Sequence, residues 1–221
     1  MPASKNDDEL IQANKRAGVG GCPESRTADG FEMHFGVNHL AHFLLFGLLF
    51  SAFQNPSRVV NVTSGAHGLA KIDFENINME GCYNPRLAYA QSKAANVLMA
   101  NEIERRFSQR GIHGFSVHPG VIHTGLTRHL PAEVAEKAFA EVGTGMKSPE
   151  QGAATQVWVA IGKVWEERGG KYLANIAEQA LTTDNKFVDG GYSEYVFDED
   201  IARRLWEKSC EWVGFDPEKG K

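Results

Sequence analysis

The residues most able to do chemistry are Tyr89 and Lys93 in the stretch Tyr89-Ala-Gln-Ser-Lys93. Side chains four apart on a helix share a face about one turn from each other. A phenol ionises near 10, so at neutral pH it is a weak base. A neighbouring ammonium favours the phenolate, and a shift of about 2–3 units corresponds to roughly 3–4 kcal/mol. The pair is therefore suited to exchanging a proton with a substrate oxygen. By itself the spacing also fits a lysine lying over a half-buried tyrosine.

The surroundings add weight. Ser57 to Gly65, SRVVNVTSG, is a short β-branched run, read as a strand buried on both faces and ending at Ser64-Gly65. In a parallel sheet the carboxyl ends of strands are where ligands bind. A second such run, Gly114 to Gly120, leads into His118-Pro-Gly-Val-Ile-His-Thr124. Asn38 lies inside a very apolar helical segment, where a buried amide must find partners or cost a few kcal/mol.

Helical and strand segments alternate around these residues. Phe31 to Leu49, Leu87 to Arg106, the segment opened by Ser148-Pro149, and Asp198 to Trp212 read as helices. Lys171 to Ile176 reads as a third strand. The pattern predicts an α/β domain with a mostly parallel sheet flanked by helices. With 221 residues, 42% hydrophobic and 23% charged, one domain with a core of its own is expected over 1–221, residues 1–16 being poorly ordered.

A net charge of −5 excludes nucleic acid as the expected partner. Three cysteines without a C-x-x-C pair suit a reducing, cytoplasmic setting. The opening residues carry Asp7, Asp8 and Glu9 and no apolar signal core. The apolar run Leu40 to Phe53 is shorter than the about 20 residues of a bilayer span, so it reads as a core helix and membrane association is not expected. No metal site is expected, because the eight histidines have no acidic partners at ligand spacing. Trp158, Trp165, Trp206 and Trp212 read as core, Cys82 as inert, and Arg105-Arg106 and Arg203-Arg204 as solvated surface pairs.

Five collinear motifs resemble the short-chain dehydrogenase/reductase family in its retinol-dehydrogenase-like branch. They are Ala17-Gly-Val19 with Cys22-Pro23, the run Thr27 to Leu45, Val60-Asn-Val-Thr-Ser64, Tyr89-Ala-Gln-Ser-Lys-Ala-Ala-Asn96, and His118 to Thr124. The resemblance implies a Rossmann-like fold and hydride transfer between NADP or NAD and a small lipophilic alcohol, aldehyde or ketone, with NADP(H) favoured slightly. It implies that Tyr89 is the general acid/base and that Lys93 depresses its pKa and holds the cofactor ribose. Ser64 would orient the substrate oxygen. Asn38 would hold a helix kink and a water joining Lys93 to solvent. Ile122 and Thr124 would anchor the nicotinamide carboxamide, with Gly18 also at the cofactor. The family's usual pairing makes a homodimer the expected assembly, and relatives acting on polyketide-like, steroid-like and retinoid-like molecules suggest a biosynthetic role.

The family's Gly-rich turn, T-G-x-x-x-G-x-G, which aims a helix N-terminus at the cofactor pyrophosphate, is absent from the chain. The only glycine cluster, Gly18-Val-Gly-Gly21, runs into Cys22-Pro23 rather than a helix. The first strands of the fold are thus expected to be missing, on the order of 60–80 residues at about 30 per βαβ unit. The loss would leave an apolar sheet edge exposed. An N-terminally shortened product, or a mis-set start codon, is expected rather than an evolved new fold. The competing expectation is a truncated, non-catalytic homologue that acts as a binding or dimerising partner.

Overall fold

A computed structural model describes residues 18–182 and 190–219. The expected disorder of residues 1–16 falls outside that range. Helix α1 runs from Met33 to Ala52, and strand β1 covers Ser57–Val62. Helix α2 is Pro85–Phe107, followed by β2 (Ile112–His118), β3 (Val121–Ile122) and helix α3 (Ala132–Val142). Strand β4 (Met146–Lys147), helix α4 (Pro149–Ile161), the hairpin β5–β6 (Lys171–Ala174, Ala177–Glu178) and helix α5 (Glu199–Val213) complete the fold.

The main sheet has the order β1-β2-β5-β6. Its first three strands are parallel, with Ser57 opposite Ile112 and Phe115 opposite Lys171, and β6 folds back antiparallel. The expected mostly parallel α/β architecture is what forms. Strand β2, in the middle, is buried along its whole length. Gly114 is needed there, since a Cβ would come within 2.1 Å of the Ala100 carbonyl oxygen of α2. Small residues on α2, including Ala88, Ala94, Ala95 and Ala100, are fully buried and let that helix lie close to the sheet.

Strand β1 differs from its sequence reading. It is only partly buried, and Val62 is 42% exposed. The reason is position: β1 pairs with β2 on one side and, among the described residues, with no strand on the other. The anticipated apolar sheet edge is therefore present in the described residues.

Helix α1 turns Phe43, Phe46 and Phe50 into the core against Phe107 and Trp206 of α2 and α5. Leu45, Leu48 and Leu49 on its other side are exposed. By length and composition alone this helix could cross a membrane, but half of it is packed inside the protein. The caps follow the sequence: Asn84 with Pro85 starts α2, Ser148 and Gln151 form a reciprocal capping box on α4, and Asp198 caps α5. All four tryptophans pack in the interior clusters. Arg105 and Arg106 are not simply solvated, because both pair with the buried carboxylate of Glu102. Arg106 also lies over the Trp206 ring.

Candidate active site

The site is assembled where the carboxyl end of β1 meets the second and third turns of α2. Thr63 Oγ1 donates to the Lys93 carbonyl at 2.8 Å, and Asn61 Nδ2 donates to the Asn96 carbonyl at 3.1 Å. In return, Lys93 Nζ and Asn96 Nδ2 donate to the Val62 carbonyl at 3.2 and 3.1 Å. These reciprocal bonds fix the helix against the strand end, and with it the face carrying Tyr89 and Lys93. Ser64 leaves the strand in an extended conformation, and its Oγ accepts from Ala66 N at 3.2 Å.

The Ser64 hydroxyl stands beside the Tyr89 phenol and favours the phenolate. Burial acts more strongly and holds Tyr89 above its ordinary value, opposite to the depression expected from Lys93. Lys93 shares that burial. Its ammonium is almost fully buried, 5.6 Å from the Tyr89 ring centroid, and desolvation brings it down to about 8. Its hydrogen bond to a backbone carbonyl leaves further N–H donors for a ligand.

Asn38 sits in a π-helical turn, Gly36–Leu40, within α1. Its Oδ1 accepts from Val19 N at 2.9 Å, and its Nδ2 donates to Val19 O and Ser92 Oγ, both at 3.0 Å. Ser92 Oγ in turn donates to the Tyr89 carbonyl at 2.7 Å. The side chain thus ties the Gly18-Val19 segment to the turn bearing Tyr89. The π-turn is the helix kink expected at Asn38. The π-turn hands the Asn38 carbonyl to His42 Nδ1, 2.9 Å away.

The other wall follows β2. At Gly120, with φ +89°, the chain turns into β3, which pairs with β4. Ile122 lies on this short strand. Thr124 Oγ1 accepts from Leu126 N at 3.3 Å, keeping its own O–H proton to donate. One cleft of about 870 Å3 is lined by Gly18, Ser64, Tyr89, Lys93, Ile122 and Thr124, while Asn38 stands behind it. Leu45, Leu49, Phe53 and Val59 add apolar surface to its lining. No tryptophan lines it.

One group beside the site escaped the sequence reading. Glu32 and His34 are buried, with Glu32 Oε1 2.7 Å from His34 Nδ1. Cys22 N donates to His34 Nε2 at 3.1 Å, so the ring proton lies on Nδ1, toward the carboxylate. Burial alone would raise the Glu32 carboxyl, but hydrogen bonds from His34 and from Phe35 N outweigh it and hold the group low. The His34 ring meets the Tyr89 ring edge-on at 6.1 Å. The only trace in the sequence is the alternation Glu32-Met-His34, which few rules would single out.

A parallel α/β sheet with Ser, Tyr and Lys gathered at strand carboxyl ends defines a dinucleotide-binding type of domain. Comparison with known proteins agrees. The chain is 40% identical over 207 residues to short-chain dehydrogenase/reductase prx1 of Penicillium roqueforti, covering 89% of this chain and 60% of that protein. It is 40% identical over 200 residues to retinol dehydrogenase 11 of Homo sapiens, covering 90% and 59%. Among solved structures, an uncharacterized protein from Mycobacterium Paratuberculosis superposes with a TM-score of 0.68 at 28% identity, covering 91% of this chain and 66% of that one. The angucycline C-6 ketoreductase LanV with bound NADP shares the fold at a TM-score of 0.54 and 24% identity, covering 73% and 59%. No family model matches the chain. Over about 90% of its own length the chain is similar to short-chain dehydrogenases/reductases, retinol dehydrogenases among them. It spans about 60% of the length of the curated relatives it matches.

Proposed function

We propose that the chain carries the proton-transfer half of an NAD(P)-dependent oxidoreductase acting on an alcohol or carbonyl group of a lipophilic small molecule, in a biosynthetic setting. The observation that carries this reading is that Ser64, Tyr89 and Lys93 line one cleft together, the Lys93 ammonium 5.6 Å from the Tyr89 ring centroid, with apolar side chains lining the same cleft.

The donor set fits the nicotinamide riboside end of the cofactor. Lys93 and Tyr89 would hold ribose hydroxyls, and the Ile122 backbone with the Thr124 hydroxyl would hold the carboxamide. Among the described residues there is no Gly-rich turn for a pyrophosphate. When bound, the cofactor supplies or accepts the hydride. In the reducing direction Ser64 donates a hydrogen bond to the substrate carbonyl oxygen and holds it against Tyr89. Tyr89 gives its phenolic proton to that oxygen as negative charge develops there. Lys93 stabilises the phenolate left behind, and the proton returns to Tyr89 from solvent before the next turnover. In the oxidising direction the same groups act in reverse, with Tyr89 as the base.

Titration of NADPH, then NADH, into the purified chain, with circular dichroism as a folding check, tests this reading. Saturable micromolar binding and reduction of a lipophilic aldehyde, abolished in Tyr89→Phe, are the expected results. A folded chain that binds neither cofactor overturns it. The exposed β1 edge and the exposed Leu45, Leu48 and Leu49 favour a second reading, a non-catalytic homologue that binds a partner, and that same negative result would support it.

A further inference from the structure

We infer that His67 is a positioning residue for Ser64, a role that rests on the oxidoreductase reading above. His67 is fully buried three residues after Ser64, in the turn Gly65–Leu69 that Ser64 caps. Two donors of this one residue converge on the Ser64 carbonyl oxygen. The His67 backbone N–H donates to it at 3.0 Å, and the ring Nδ1 lies 2.8 Å away. On the other side of the ring, Ser193 N donates to Nε2 at 3.2 Å.

These contacts assign the tautomer. A backbone amide can only donate, so Nε2 carries no proton, and in the neutral ring the proton is on Nδ1. The Ser64 carbonyl, which can only accept, requires the same arrangement. The ring packs on Tyr172 of β5 at 5.0 Å between centroids, which sets its plane. Burial pushes the imidazole down to about 4, so this neutral form is the one present at physiological pH.

The consequence for the site is geometric. Ser64 is held at its carbonyl by His67 and at its hydroxyl by Ala66 N, and both bonds act on the orientation in which Oγ faces the cleft beside Tyr89. His67 also ties this turn to the Ser193 segment, far along the chain. It does not line the cleft, and both ring nitrogens face protein groups, so it acts through Ser64 and not on substrate.

The test compares His67→Asn, whose amide N–H can replace the Nδ1 donor, with His67→Leu, which has no donor. Long-range 1H–15N spectra of the unmodified chain should show a pyrrole-type Nδ1 and a pyridine-type Nε2 between pH 6 and 8. With NADPH and decanal, His67→Leu should lose about tenfold or more in kcat while KM stays within about threefold, and His67→Asn should recover most of the loss. Exchange of the Ala66 amide, slow in the unmodified chain and in His67→Asn, should be fast in His67→Leu. The opposite tautomer, full kcat in His67→Leu, or a His67→Asn variant as poor as His67→Leu would each overturn the inference. If the unmodified chain has the assigned tautomer but no turnover, the oxidoreductase reading fails. Ala66 exchange then decides the positioning role by itself, and equal exchange in the variants overturns it.

Discussion

Asn38 holds Val19 as a neighbouring strand would, taking its N–H at 2.9 Å and giving an N–H to its carbonyl at 3.0 Å. A single side chain thereby acts as a ladder partner, and its third bond, to Ser92 Oγ, connects that pairing to the helix bearing Tyr89. The π-turn in α1 sets the amide at the right height, so a local departure from α-helical geometry serves the site.

Replacing Asn38 with Leu strands the Val19 amide and carbonyl in an interior where neither meets water. The expected cost is about 2–4 kcal/mol, read as a lower urea midpoint with an unchanged slope. A loss below about 1 kcal/mol would show that Val19 is held by other means.

Acid should weaken the fold through two buried histidines. Desolvation brings His39 down to about 3 and His67 to about 4, both below the unfolded value of 6.5. Between those values the unfolded chain binds more protons than the folded one, so stability falls as pH drops through 6.5. The contribution is complete above that pH, and by pH 5 each histidine has removed roughly 2 kcal/mol at most. Urea midpoints at pH 7.5 and 5 test this, and His39→Leu should remove about half of the difference. A flat profile would mean that both rings are more exposed than their packing implies.

Much of this was legible in the sequence because it depends on local signals. The β-branched run before Ser64, the Pro-Gly turn at Pro119-Gly120 and the Ser148-Pro149 start declared their elements, and the Tyr89/Lys93 spacing declared their common face. What the sequence hid is set by distant neighbours. Whether β1 is central or an edge depends on which strands flank it, and a run of valines reads the same in either place. The direction of the Tyr89 shift depends on how far burial outweighs the neighbouring Ser64 hydroxyl, which spacing along a helix does not encode. Glu102 explains Arg105 and Arg106 only once its burial is known.

The two directions of reaction should respond to pH differently. Tyr89 is held above its ordinary value by burial, so across neutral pH the phenol carries its proton. Carbonyl reduction needs that proton and should be nearly flat from pH 6 to 8. Alcohol oxidation needs the phenolate and should rise by up to about tenfold per unit between pH 6 and 7.5, below the value of about 8 at which Lys93 loses the charge that stabilises it. Initial rates in both directions, measured with saturating cofactor, check this. An oxidation rate that does not change over the same range would remove Tyr89 from the role of base.

Gly120 controls the wall that carries Ile122 and Thr124 without touching Tyr89. Its φ of +89° is one that a side chain resists, and an added Cβ would lie 2.8–2.9 Å from Cδ, Cε and Nζ of Lys147. Lys147 cannot yield without cost, because Nζ donates to Asn175 Oδ1 at 2.6 Å and to the Pro119 carbonyl at 3.4 Å, and its backbone lies beside Ile122 in the β3–β4 pair. Gly120→Ala should therefore displace Ile122 and Thr124 together while leaving the bonds between β1 and α2 in place. The backbone strain alone is expected to cost about 1–2 kcal/mol of stability. For NADPH, the dissociation constant should rise about tenfold, with kcat at saturating cofactor within about threefold, because Ser64, Tyr89 and Lys93 are held by other elements. If instead kcat collapses and affinity holds, the turn at Gly120 positions the reacting groups themselves and the division of the cleft into two independently built walls is wrong.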